Sequence, residues 1–256
     1  MTRTFERAVG NLTALNPITG NADKLTNYLA DPVEMNLLHM IAADPARTPT
    51  FTLFANPDYF LFTGAANCNS PCVTEQPGFA WNHGDVAPDI NTTWLGMVGP
   101  GVKPVGVDNS TWSDHTDTRP TMMALMGLTN DYSHDGRVLA EELLGFVLPK
   151  SLKKGGMFLL LARAYKQINA PVGPLGLASL RASTLALESG NAADDSSYTN
   201  IESRLTSITN QRNNLAKQMI ALLEGAAFDG QDIDKDMAIQ LIAEAQALMD
   251  EVNNLP

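Results

Sequence analysis

Two apolar stripes near the C-terminal end limit the fold of this chain most. Tyr198, Ile201, Leu205, Ile208, Arg212, Leu215, Met219 and Leu222 recur at alternating steps of three and four residues, and Ala238, Leu241, Ala245, Leu248 and Val252 do the same. That period puts each set on one face of a helix, and such faces must be buried against other elements. The loop Phe228-Asp229-Gly230-Gln231-Asp232 separates the two series, which predicts an antiparallel helical hairpin. Met157 to Ile168 and Leu175 to Leu187 are read as further helices completing a small bundle. Arg212 interrupts the seam and is expected to snorkel, its stem on the apolar face and its head in water. A run of only about four heptads favours an accessory bundle over a dimerising coiled coil.

Upstream of about Pro149 the character differs, which predicts a boundary between residues 1–148 and a helical bundle over 149–256. Residues 1–47 read as helices: Thr2 to Leu15, Asn21 to Leu29, and Pro32 to Ala43 with Asp31 as N-cap and Pro32 in the first turn. His39 lies in the apolar run Met35-Asn36-Leu37-Leu38-His39-Met40-Ile41 and is expected to pack on that last helix. Thr48 to Phe54 reads as a strand, and Tyr59-Phe60-Leu61-Phe62 as a second one after the turn at Asn56-Pro57-Asp58. Tyr59, Phe60, Phe62 and Trp94 are expected in the core. A helix is expected over Thr116 to Leu128, with Asp117 near its start, Pro120 in its first turn and Gly127 near its end. The turn Asn130-Asp131-Tyr132-Ser133-His134-Asp135-Gly136-Arg137 follows, with His134 expected to be exposed.

The motifs that carry chemistry lie between these parts. Asn82-His83-Gly84-Asp85 precedes Thr93-Trp94-Leu95-Gly96-Met97-Val98, which reads as a buried strand, and Gly99-Pro100-Gly101-Val102 follows. A histidine-glycine turn, a strand, Gly-Pro-Gly-Val and then the helix start Asp117-Thr118-Arg119-Pro120-Thr121 occur in an order and spacing that resembles the C-terminal part of alkaline-phosphatase-superfamily phosphoesterases, over about residues 48 to 140. The branch it most resembles is the type I phosphodiesterase and nucleotide-pyrophosphatase-like one. The resemblance implies an α/β fold, the C-terminal portion of a three-layer sandwich, with Thr48 to Leu144 forming one side of its sheet. It also implies a phosphoester substrate and two zinc ions, with His83 at the position of the last ligand of one ion. In relatives a segment like Asp135-Gly136-Arg137 closes the catalytic domain.

That superfamily takes its nucleophile and remaining ligands from earlier in its chain, and nothing in Met1 to Arg47 looks like them. At most one zinc ligand is thus visible, whereas a catalytic zinc takes about three protein ligands. The expectation is the C-terminal portion of a metal-dependent phosphoric ester hydrolase that does not turn over substrate as the isolated chain. Two other classes compete: a non-catalytic binding or scaffold protein that keeps part of the fold, and a sulfatase-like hydrolase, whose Cys or Ser nucleophile motif is not visible either. Asp85 and Asp89 share the His83 loop, where they reach the cation or a substrate group or, as Asp does in many loops, satisfy turn backbone. His115, beside Asp114, is a weaker candidate for a proton shuttle.

Composition narrows the partners. A net charge of -11 argues against nucleic-acid backbone binding, which needs clustered Lys and Arg, and Lys150 to Lys154 is too short a basic run to alter that. No apolar stretch reaches the roughly 18 residues of a membrane span. Cys68 and Cys72, in Asn67-Cys68-Asn69-Ser70-Pro71-Cys72, read as a small disulfide, as two thiols, or as half of a zinc site. The disulfide reading points to export to the periplasm or the extracellular space, although no signal segment is present in the sequence. A cut sheet would leave edges through which the chain associates, as would the helical bundle.

Overall fold

The computed structural model describes residues 2–61, 74–79, 83–129, 132–153, 156–190 and 194–255. In chain order it contains α1 (Thr2–Gly10), β1 (Thr13–Leu15), β2 (Ala22–Lys24), β3 (Thr26–Ala30), α2 (Pro32–Leu37), β4 (Thr52–Ala55) and α3 (Pro88–Asn91). Then come α4 (Thr118–Met126), α5 (Lys150–Lys153), α6 (Met157–Asn169), α7 (Pro174–Ser189), α8 (Ser196–Phe228) and α9 (Lys235–Asn253). The strands among the described residues form two antiparallel pairs, β1–β2 and β3–β4. No described helix is long and apolar enough to cross a membrane. The residues fall into two compact units: 1–94 with 177–206 and 255–256, and 95–176 with 207–254.

In the first unit, α1 stops at Gly10-Asn11, where helix propensity is poor. The chain then turns through Asn16, whose side chain accepts from the amides of Ile18 and Thr19, and Asn16 N–H donates to Asn21 O at 2.8 Å. This turn sets up the β1–β2 hairpin, so the helices expected over Thr2 to Leu15 and Asn21 to Leu29 are corrected to a shorter helix and three strands. Local turn chemistry at Asn16 outweighed the weak apolar period. β3 pairs with β4 through Leu29 and Leu53, with a bulge between Thr26 and Tyr28. Gly10 admits the Leu29 side chain, which a Cβ there would meet at 3.2 Å.

α2 begins as expected, with Asp31 accepting from Val33 N–H at 2.8 Å and Glu34 accepting from Asp31 N–H at 3.0 Å, a capping box. It ends at Leu37 rather than Ala43. His39 N–H donates to Asn36 O and Met40 N–H to Met35 O, the two bonds of a Schellman cap, and His39 takes the left-handed position at φ 56°. His39 is therefore an exposed cap residue, not a packed helical one.

The second unit holds α4, α6, α9 and most of α8. α6 packs on α9. The helical stretches expected after Pro149 all form, and the positions of both stripes are buried except Leu222, which is half-buried. Arg212 departs from expectation, being 2% exposed rather than snorkelling. The Gly-Pro-Gly-Val segment is fixed by an antiparallel bridge between Val102 and Leu143, with Leu144 N–H donating to Gly101 O at 2.7 Å. Gly101 sits at φ 94°, and a Cβ there would meet Val147 at 2.8 Å.

A three-layer α/β sandwich is not formed by the described elements. Thr93 to Val98, expected as a buried strand, is unpaired and exposed, with Trp94 at 86% and Val98 at 99% exposure. Tyr59 to Leu61 is not a strand either, and Phe60 is exposed beside Phe79, their ring centroids 5.3 Å apart. An apolar extended run becomes a core strand only where another strand pairs with it, and none among the described residues does so here. Phe62, Cys68 and Cys72 lie outside the described residues.

Candidate functional site

His83 is exposed and stands before Gly84, at φ 90°. Asp85 Oδ1 accepts from Ala87 N–H at 2.8 Å, so this carboxylate satisfies the turn. The turn buries Val86 and Ala87 and leads into α3, where Asp89 is exposed in the first turn. Asn91 Nδ2 donates to Val86 O at 2.5 Å and closes the loop. His83, Asp85 and Asp89 belong to the first unit and His115 to the second.

His115 opens a short 3₁₀ turn ahead of α4 and is exposed. Its neighbour Asp114 serves backbone and lysine rather than imidazole: it caps Thr116 N–H at 2.9 Å, accepts the Thr116 hydroxyl, and takes Lys166 Nζ at 3.0 and 3.1 Å. The expected Asp-His shuttle is therefore not assembled in the described contacts.

The helix start at Asp117 is instead built around a buried lysine. Lys166 projects from α6, its side chain 4% exposed, and its ammonium reaches Asp117 Oδ1 at 2.9 Å, Thr116 Oγ1 at 3.0 Å and the Asp135 carbonyl at 3.1 Å. Asp117 is fully buried and also accepts from Asp114 N–H at 3.1 Å and Arg137 N–H at 2.8 Å. Burial pushes the Asp117 carboxyl up, while the Lys166 ammonium opposes that shift. Thr121 Oγ1 donates to Asp117 O at 2.7 Å and accepts from Leu139 N–H at 3.0 Å, so the helix start and the segment after Gly136 are laced together. Gly136 is required by this closeness, since a Cβ would lie 1.9 Å from Thr116 O. Arg137 holds Glu141 at 2.5 Å and the Trp112 carbonyl at 3.1 Å.

Around the knot, Tyr165 Oη donates to Asp135 O at 3.2 Å and accepts from Asn169 Nδ2 at 2.8 Å, and Arg212 Nη1 lies 3.5 Å from Asn169 Oδ1. Burial raises Tyr165 and lowers Arg212. His134, expected to be exposed, is mostly covered, with Nε2 3.5 Å from Glu224. Burial lowers its pKa although Glu224 works the other way. Most donors and acceptors of this knot meet one another, although Arg137 Nε and Glu141 Oε1 are buried without a hydrogen-bond partner among the described residues, and the contacts tie the helix start to α6 and to the segment after Gly136.

Lys166, Asp135 and Arg212 were not singled out as site residues. The one available signal was their polarity at apolar positions of a helical stripe or in the Asp-Gly-Arg turn. Comparison with protein-family models, curated proteins and solved structures found no match.

A zinc ion needs about three protein ligands, and the described residues contain no group of three or more His, Cys, Asp or Glu arranged to hold one. His83 is a single exposed imidazole whose neighbour Asp85 is committed to backbone. The described residues alone do not fit the metal.

Proposed function

We propose that this chain contributes the C-terminal part of a metal-dependent phosphoric ester hydrolase of the alkaline phosphatase superfamily, in the phosphodiesterase-like branch. On this reading it joins a three-layer sandwich whose nucleophile and other zinc ligands come from residues outside this sequence. His83 is the residue it offers to the metal.

The observation that supports the reading is the exposed run from Trp94 to Val98. Trp94 is 86% exposed and Val98 99%, although the intervening sequence is apolar. Isolated surface apolar residues are ordinary, but a continuous extended apolar run flanked by a histidine-glycine turn and Gly-Pro-Gly-Val is what a core strand presents before its sheet is in place. The knot around Asp117 and Lys166 is consistent with this, because it prearranges the helix start that follows such a strand.

The test is carried out on the protein as its cells produce it. His83→Ala should lower its zinc content and its hydrolysis of bis(4-nitrophenyl) phosphate. Unchanged zinc content in that variant would overturn the assignment.

A further inference from the structure

The first unit contains a second charged cluster, independent of the hydrolase reading, with Glu6, Asp31 and Glu34 buried and Arg3, Asp195 and Glu202 partly exposed. Arg3 of α1 is its hub. The guanidinium bonds Glu6, lies 3.1 Å from Glu202 Oε1 and 3.5 Å from Asp31 Oδ2, and stacks 3.7 Å from the centroid of the Tyr198 ring. Tyr198 Oη donates to Asp31 Oδ2 at 2.8 Å. Arg7 bonds Asp195 and the Leu187 carbonyl of α7. Asp195 also lies 3.8 Å from Arg3 Nε. The charged group next to these on α7, Glu188, pairs with Lys24 of β2. Asp31 and Glu34 meanwhile form the capping box of α2.

The charges do not balance. Two guanidinium groups, Arg3 and Arg7, face five carboxyl groups, Glu6, Asp31, Glu34, Asp195 and Glu202, and Glu34 is fully buried while Glu6 and Asp31 are 3% and 5% exposed. Glu34 Oε1 is buried and has no hydrogen-bond partner among the described residues, a placement that costs a carboxylate more than a neutral carboxyl. Solvent shares the charge of Asp195 and Glu202, whose side chains are 42% and 21% exposed, but it does not reach Glu34, so closing the cluster favours a bound proton over a further buried charge.

We infer that these residues form a proton-operated clamp, which fastens α1 and the first turns of α8 to the β3–α2 corner at mildly acidic pH and loosens as protons leave Glu34 and Glu202. Burial, with the Asp31 carboxylate next to it, holds Glu34 well above the usual carboxylate range. The same two causes raise Glu202 to about 8, against the pull of Arg3. Burial and Asp31 also raise Glu6, again against Arg3. Burial works to raise Asp31, but hydrogen bonds, led by that from Glu202, bring it to about 2.

A group raised in the closed state stabilises closure fully below its ordinary value, and that contribution is lost as pH rises through the closed-state value, here from the ordinary glutamate value of about 4.3 up to the shifted one. Asp31 works oppositely: its contribution is present above about 3.9 and lost as pH falls through the closed-state value. The clamp is therefore tightest at mildly acidic pH.

Hydrogen exchange, corrected for the chemical rate, tests this in the intact chain. Amides of α1 and of the first turns of α8 should lose at least about tenfold in protection between pH 5 and 7.5, since one released proton allows up to about tenfold per pH unit. Amides of α9 serve as the control and should hold steady. Glu202→Gln combined with Glu34→Gln, which mimics the protonated side chains, should flatten the slope. A flat parent profile would overturn the clamp even if the double variant fails to fold, and so would a slope that survives the double variant. Neither result bears on the zinc assignment of His83.

Discussion

The two buried charge clusters differ in one respect, balance, and behave differently because of it. In the second unit, three cations, Lys166, Arg137 and Arg212, stand among four carboxyl groups, Asp114, Asp117, Asp135 and Glu141, so the count is close to even. In the first unit, two arginines serve five carboxyl groups. A matched buried cluster fixes geometry and is lost only when a partner is removed, whereas a mismatched one must hold protons and so depends on pH. A buried ion cluster is thus a rigid joint or a switch according to its charge count together with the burial that the fold imposes on it.

The largest effect should come from breaking the matched cluster. Lys166→Ala strands Asp117 in the interior and should cost about 3–5 kcal/mol, read from the denaturant midpoint. A loss under about 1 kcal/mol would mean that Lys166 is not what holds the helix start. Gly136→Ala attacks the same joint through sterics, with a Cβ forced against Thr116 O, and should cost about 1–3 kcal/mol or more. Because the two sites share partners, the double variant should lose less than the sum.

Glu202→Gln probes the mismatched cluster. Its melting temperature should exceed that of the parent at pH 7.5 and match it at pH 5, because only the parent must retain a proton on a group raised to about 8. Equal melting at both values would remove the contrast between the clusters. The smallest effect is expected outside both. His39→Gly relieves a left-handed non-glycine residue at an exposed cap and should raise stability by about 0.5 kcal/mol, visible as a small rise in the denaturant midpoint.

How much of this was legible in the sequence depends on how local each cause is. The stripes of α8 and α9 were readable because the spacing from Tyr198 to Met219 and from Ala238 to Val252 fixes a buried face without reference to anything distant. The cap at Asp31 and the end of α4 at Gly127, which is left-handed at φ 66°, were readable for the same reason. Residues 21–29 were misread because a turn anchored by Asn16 hands them to strands. His39 ended a helix by taking a conformation that the sequence does not advertise for histidine. Neither cluster was visible, since Arg3 meets Glu202 and Lys166 meets Asp114 only through tertiary packing. His83 is proposed as a ligand from motif resemblance alone, and no group of three or more His, Cys, Asp or Glu that could hold a metal ion forms around it among the described residues.

The most direct test of the central claim is metal content of the purified chain by mass spectrometry, with an isothermal zinc titration of parent and His83→Ala. Weak, substoichiometric zinc that barely changes on substitution is the result predicted for a segment offering one ligand of a site completed elsewhere. Tight, stoichiometric zinc lost in His83→Ala would contradict it, because the remaining ligands would then lie within this chain.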